Sequence, residues 1–153
     1  MSLHIPNDKV DALFEVLKNN RSRVGIWLVP AEHHGQEAAV AIYTASIAVD
    51  LTKLYLAGLA DDARFSALAP DRLSDLVAAI FAGGGNTRAI GYNLDLLLAR
   101  LTSDQRAEFW NMALSGHPNP PRMLILMLPQ LADHLLPQGF WMEQWEKAGK
   151  LLR

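Results

Sequence analysis

The chain contains no cysteine. Disulfides, thiolate metal sites and cysteine nucleophiles are therefore excluded, and a reducing compartment fits the composition. There is little excess of charge of either sign. Lys and Arg number 14 against 16 Asp and Glu, for a formal net charge of -2. That balance lacks the basic footprint of a nucleic-acid binder, so no nucleic-acid partner is expected. A membrane-spanning run is also missing. A span needs about 20 apolar residues, whereas in the longest apolar segment, 37–59, only Ala38 to Val49 is free of charge. The opening MSLHIPNDKV has neither a basic n-region nor an apolar h-region, so no signal peptide is read and a cytoplasmic location is expected. No repeat at a fixed period and no low-complexity tract interrupts the chain.

Hydrophobic content is plentiful, at 50% of 153 residues. That is high for a soluble domain and leaves apolar surface for a homo-oligomer or a partner protein. The length suits one domain over 1–153 that needs no disulfide or metal to hold a core.

The periodicity predicts an all-α domain, a bundle or irregular array of about seven helices around a central buried helix at 37–59. Val40, Tyr43, Ile47, Leu51 and Leu54 form one stripe of that helix. Ala38, Ile42, Ala45, Val49 and Leu56 form a second, with Ser46, Asp50 and Lys53 on a polar strip between them. Other helices are expected around Val10, Leu13, Phe14 and Leu17, around Leu73, Leu76, Val77, Ile80 and Phe81, around Ile90, Leu94, Leu97, Leu98 and Leu101, and around Phe109, Trp110, Ala113 and Leu114. A last amphipathic helix carries Trp141, Trp145 and Leu152 on one face. SRVGIWLV, residues 22–29, fits either an alternating strand or a helix. With no second strand candidate after it, the helical reading follows, since a lone strand leaves its backbone unpaired. MLILML, residues 123–128, is apolar on every side and reads as central core or interface.

No complete catalytic constellation is present. H-E-x-x-H and E-x-x-H are both missing, and His33 and His34 are neighbours that point in different directions on a helix. No metal and no cofactor is expected. GGGNTR, residues 83–88, lacks the spacing and the lysine of a phosphate loop. Yet a glycine run feeding a helix start, with Arg88 beside it, has part of the physics of an anion site. SGHPNPPR, residues 115–122, brings a hydroxyl near an imidazole, but in a proline-rich turn that suits no nucleophile–base pair. Asp50 and Lys53 are spaced to pair along a helix, and whether that strip faces core, cleft or solvent decides what Asp50 can do.

If successive helices run antiparallel, the 83–88 and 115–122 loops and the start of the 37–59 helix share one pole. Asn86, Thr87, Arg88, His117, Asn119, His33 and Glu37 would then surround one depression. The leading expectation is a non-enzymatic protein–protein interaction module, of a regulatory adaptor or toxin-neutralising kind. Its partner would be another protein or a second copy, with Trp141, Trp145, Met123 and Met127 as interface residues. The alternative is a small-molecule or anion-binding protein, possibly an enzyme, with its site at that pole.

Overall fold

The computed structural model describes residues 7–20, 22–30, 35–57, 87–115 and 122–153, together with residues 73, 75, 77 and 80. The chain is α/β rather than all-α. Helix α1 (Asn7–Lys18) leads into strand β1 (Val24–Val29). Helix α2 (Glu37–Tyr43), strand β2 (Ile47–Asp50) and helix α3 (Leu51–Ala57) follow. Strand β3 (Arg88–Tyr92) precedes helices α4 (Leu94–Leu98) and α5 (Ser103–Ser115). Then come strand β4 (Met123–Pro129), a short 3-10 turn (Asp133–Leu135), helix α6 (Phe140–Lys147) and strand β5 (Leu151–Leu152). The five strands form one parallel sheet in the order β2-β3-β4-β1-β5.

The expected all-α bundle is thus overturned, and the reason lies in how parallel sheets hide in a sequence. Residues 22–29 find their strand partner about a hundred positions away, with Val24 opposite Leu124 and Leu28 opposite Leu128. The partner is MLILML itself. Both strands are buried at every position from Val24 to Val29 and from Met123 to Leu128. A parallel strand covered on both faces has no polar side, so its sequence is a continuous apolar run without alternation. Ile90, expected in a helix, lies in β3 opposite Ile125.

Side chains alternate across the sheet into two cores. On one face Trp27, Val29, Ile90, Met123, Ile125 and Met127 pack with Val10, Leu13, Phe14 and Leu17 of α1 and Val40 of α2. On the other, Val24, Ile26, Leu28, Leu124, Leu126 and Leu128 pack with α3, α4, α5, α6 and the helical residues Leu73, Val77 and Ile80. Gly25 fits the first face closely, because a Cβ there would stand 3.3 Å from Leu13 and Leu17 of α1. Trp110 and Trp145 anchor the second face, with ring centroids 5.7 Å apart in an edge-to-face pair. The Trp110 indole N–H donates to the Leu135 carbonyl at 2.8 Å, as a buried indole requires.

The predicted 37–59 helix is really α2, β2 and α3. The break is a Schellman motif. Ala45 adopts a left-handed conformation, with φ of 53°. The Ala45 N–H donates to Ile42 O and the Ser46 N–H to Ala41 O. Thr44 reinforces it by donating its hydroxyl to Val40 O at 2.7 Å. An alanine in that conformation costs roughly 1–2 kcal/mol, and no glycine marks the stop in the sequence. Tyr43 and Ile42, assigned to buried stripes, are exposed. The helices at 7–18 and 103–115 are present with Val10, Leu13, Phe14, Leu17, Phe109, Trp110 and Ala113 buried. The cap of α5 is Thr102. Its hydroxyl accepts the Gln105 N–H while the Gln105 side chain accepts the Thr102 N–H, a reciprocal capping box. Among the described residues, no helix is long and apolar enough to cross a membrane.

Candidate functional site

Strand order fixes where a crevice opens. From β1 the chain runs through α2 to β2, at one side of the sheet. From β4, which lies next to β1, it runs through α6 to β5, at the other side. The two connections leave neighbouring carboxyl ends in opposite directions, and a gap between them follows. A cavity of about 400 Å³ lies there.

Its floor is apolar, made by Val29 at the end of β1 and by Met127, Leu128 and Pro129 at the end of β4. Its polar wall comes from Gly35 and Glu37, which lead into α2, and from Tyr92, Asn93 and Asp95 at the end of β3 and the start of α4. A Glu37 oxygen accepts the Gly35 N–H at 3.3 Å. Asn93 is held in the left-handed region, with φ of 60°, a conformation asparagine tolerates better than most residues. Its side-chain N–H donates to Asp50 Oδ2 at 2.9 Å, and its carbonyl accepts the Thr52 hydroxyl at 2.7 Å. The other Asp50 oxygen accepts the Lys53 backbone N–H at 3.0 Å. Asp50 therefore caps α3 and braces Asn93, and the carboxylate bonds the Lys53 backbone.

The wall is electronegative. The Tyr92 phenol is pushed above its ordinary pKa by burial first, then by the Asp50 and Glu37 carboxylates. It stays protonated at neutral pH and can donate. Glu37 and Asp95 offer acceptors, and Asn93 offers an amide. The described lining thus offers two carboxylates, a phenol and an amide, groups that can hydrogen-bond a ligand and exchange protons with it. No group of three or more metal-ligating side chains occurs among the described residues.

The structure divides the residues expected at a single pole. Arg88 opens β3 beside Met123, at the amino edge of the sheet. Glu37 follows the carboxyl end of β1, so the two stand at opposite edges. Parallel strands, unlike antiparallel helices, put their starts at one edge and their ends at the other. Arg88 is committed to structure. Its guanidinium donates to Asp11 at 2.7 Å, to the Thr44 carbonyl at 3.1 Å and to Glu15 at 3.4 Å, and stacks 4.8 Å over Phe14. It ties β3 to α1 and to the turn after α2. Thr87 precedes it, and its carbonyl accepts the Met123 N–H. His33, Asn86, His117 and Asn119 lie outside the described residues.

Of the expected interface residues, Trp145 is fully buried against Trp110, and Met123 and Met127 lie within β4. Trp141 alone is exposed, at 42%, with its neighbour Phe140 at 62%.

Tyr92, Asn93 and Asp95 were not visible as site residues because their region reads as helix. The signal that marks the site is Gly35-Gln36-Glu37 after an apolar run, and it has meaning only once 24–29 is taken as a strand. No family model and no curated protein sequence matches the chain.

Proposed function

We propose that this protein binds a small organic molecule in the crevice at the carboxyl ends of β1, β3 and β4. The observation that carries the reading is the position of the 400 Å³ cavity at the reversal of strand order. Open parallel sheets bind ligands at that place, and the volume falls within the range of small-molecule sites, roughly 300–1,000 Å³. An apolar floor with a few convergent polar groups is the usual composition of such a site. This keeps the ligand-binding alternative read from the sequence but moves it to the opposite edge of the sheet.

A thermal-shift screen of amines, amino acids, nucleosides and phosphates, run on the wild type and on Tyr92→Ala, tests the reading. Compounds that stabilise the wild type should lose their effect in Tyr92→Ala, which removes part of the wall. Undiminished stabilisation in the variant would count against the crevice.

A protein-binding role, with another protein or a second copy as partner, is the second reading. The observation favouring it is the exposed edge-to-face pair of Phe140 and Trp141, with centroids 5.2 Å apart. Exposed aromatics of this kind anchor interfaces. Light-scattering mass of the wild type and of Phe140→Ala/Trp141→Ala tests the self-association form. A dimer that the double variant lacks would support it.

A further inference from the structure

In chain order, the sequence between β1 and α2 follows a strand at the reversal and precedes a helix, as a phosphate loop does in nucleotide-binding α/β folds. Such a loop follows G-x-x-x-x-G-K-[ST]. Its glycines let the backbone approach phosphate, its lysine meets the charge and its hydroxyl meets a metal ion. At the same spacing this chain has Pro30, Gly35, Gln36 and Glu37. Three of the four positions differ, and each difference works against phosphate. Pro30 has no N–H to offer an anion. Gln36 brings no positive charge. Glu37 brings a negative one.

Glu37 is the first residue of α2. Its carboxylate accepts the Gly35 N–H, a donor that a bound phosphate would otherwise use. The Gly35 N–H is thus already met by an anion of the chain itself. Elsewhere the wall continues the same sign. Asp95 lines the cavity, Asp50 stands behind Asn93, and no cationic side chain is among the described lining residues. Glu37 and Asp95 are half-buried, and a cleft lined by charge of one sign attracts cations and repels anions. Val29 and Met127 leave an apolar floor beneath it.

Resting on the reading of the crevice as a ligand site, we propose that Glu37 sets the charge class of the ligand: the crevice takes an organic cation, an ammonium or guanidinium group on an apolar body, and rejects phosphate esters. The cationic head meets Glu37 and Asp95, and the apolar body lies on Val29 and Met127.

Three probes sharing one apolar body isolate the charge: 2-phenylethylamine, 2-phenylethanol and 2-phenylethyl phosphate. Each is titrated into the full chain at neutral pH while the amides of residues 35, 37, 92, 93 and 95 are followed by NMR. Glu37→Gln is titrated in parallel, since its amide oxygen still accepts the Gly35 N–H. The amine should bind at least roughly tenfold more tightly than the alcohol, the scale of one charge-assisted contact, and the phosphate ester should leave these amides unmoved. In Glu37→Gln the advantage of the amine should fall by about tenfold, with binding of the alcohol unchanged. If Glu37→Gln fails to fold, Asp95→Asn carries the same comparison. Equal binding of amine and alcohol at these amides, or tightest binding of the phosphate ester, overturns the charge selection and leaves the crevice a ligand site. No movement of these amides with any millimolar probe overturns both.

Discussion

Asp50 and Asn93 are joined across the carboxyl ends of β2 and β3, with the Asn93 side chain donating to the Asp50 carboxylate at 2.9 Å. The same carboxylate caps α3 at the Lys53 N–H. One side chain therefore fixes both a helix start and the left-handed residue in the wall of the crevice. Asp50→Ala should destabilise the fold by about 1–2 kcal/mol, the cost of a lost cap and its accompanying hydrogen bond. Asp50→Asn, which can still accept from Lys53, should cost less than about 1 kcal/mol. Urea unfolding with an unchanged slope checks both values. Equal losses for the two would show that charge, rather than capping, sets the effect.

Ala45 is the second local constraint. It ends α2 in a conformation that suits glycine. Ala45→Gly should stabilise the protein by about 0.5–1 kcal/mol, the relief of strain less the added freedom of the unfolded chain. For a domain of this size that is a rise in Tm of about 1–4 °C. Ala45→Val should lower Tm. A lower Tm for the glycine variant would contradict the Schellman assignment.

Lys150 makes stability depend on pH. It is buried, with Nζ 5.9 Å from the Trp145 ring centroid, and burial lowers its pKa from 10.5 to about 8. Below pH 8 the folded and unfolded chains both hold the proton, and the folded chain bears the cost of a buried charge. Between pH 8 and 10.5 the folded chain releases the proton and the unfolded chain keeps it. The unfolded state then binds more protons, so stability rises with pH. Tyr92 acts in the opposite direction above pH 10, because its raised pKa holds a proton that the unfolded chain loses. The urea midpoint should therefore climb from pH 8 to pH 10 in the wild type and stay flatter in Lys150→Met. Parallel curves for the two proteins would contradict the assignment.

The helices that could be read from the sequence were those with one apolar face. Val10, Leu13, Phe14 and Leu17 are spaced for α1 and are buried there. The sheet was hidden for two physical reasons. First, β1 and β4 are covered on both sides, so VGIWLV and MLILML lack the alternation that identifies a strand. Second, parallel strands are joined by crossovers of about a dozen residues or more rather than by a hairpin, so the lack of a nearby partner for β1 carried no information. The long 37–59 helix followed from its two apolar stripes, and its real break at Ala45 has no glycine or proline to announce it. The site was displaced for the same reason. Glu37 belonged to the expected group, but Tyr92, Asn93 and Asp95 join it only when strands place their carboxyl ends together. The tryptophans separated by burial, with Trp145 enclosed in the core and Trp141 at the surface, a distinction that composition alone does not make.

The most direct test of the crevice is a map of amide chemical shifts across the isotope-labelled chain during titration with an unbiased fragment library. The fragments that bind should perturb the amides of Gly35, Glu37, Tyr92, Asn93 and Asp95 before any others. Perturbations gathered instead at Phe140 and Trp141, or at the amino edge around Arg88, would contradict the assignment of the ligand site to the carboxyl ends of the strands.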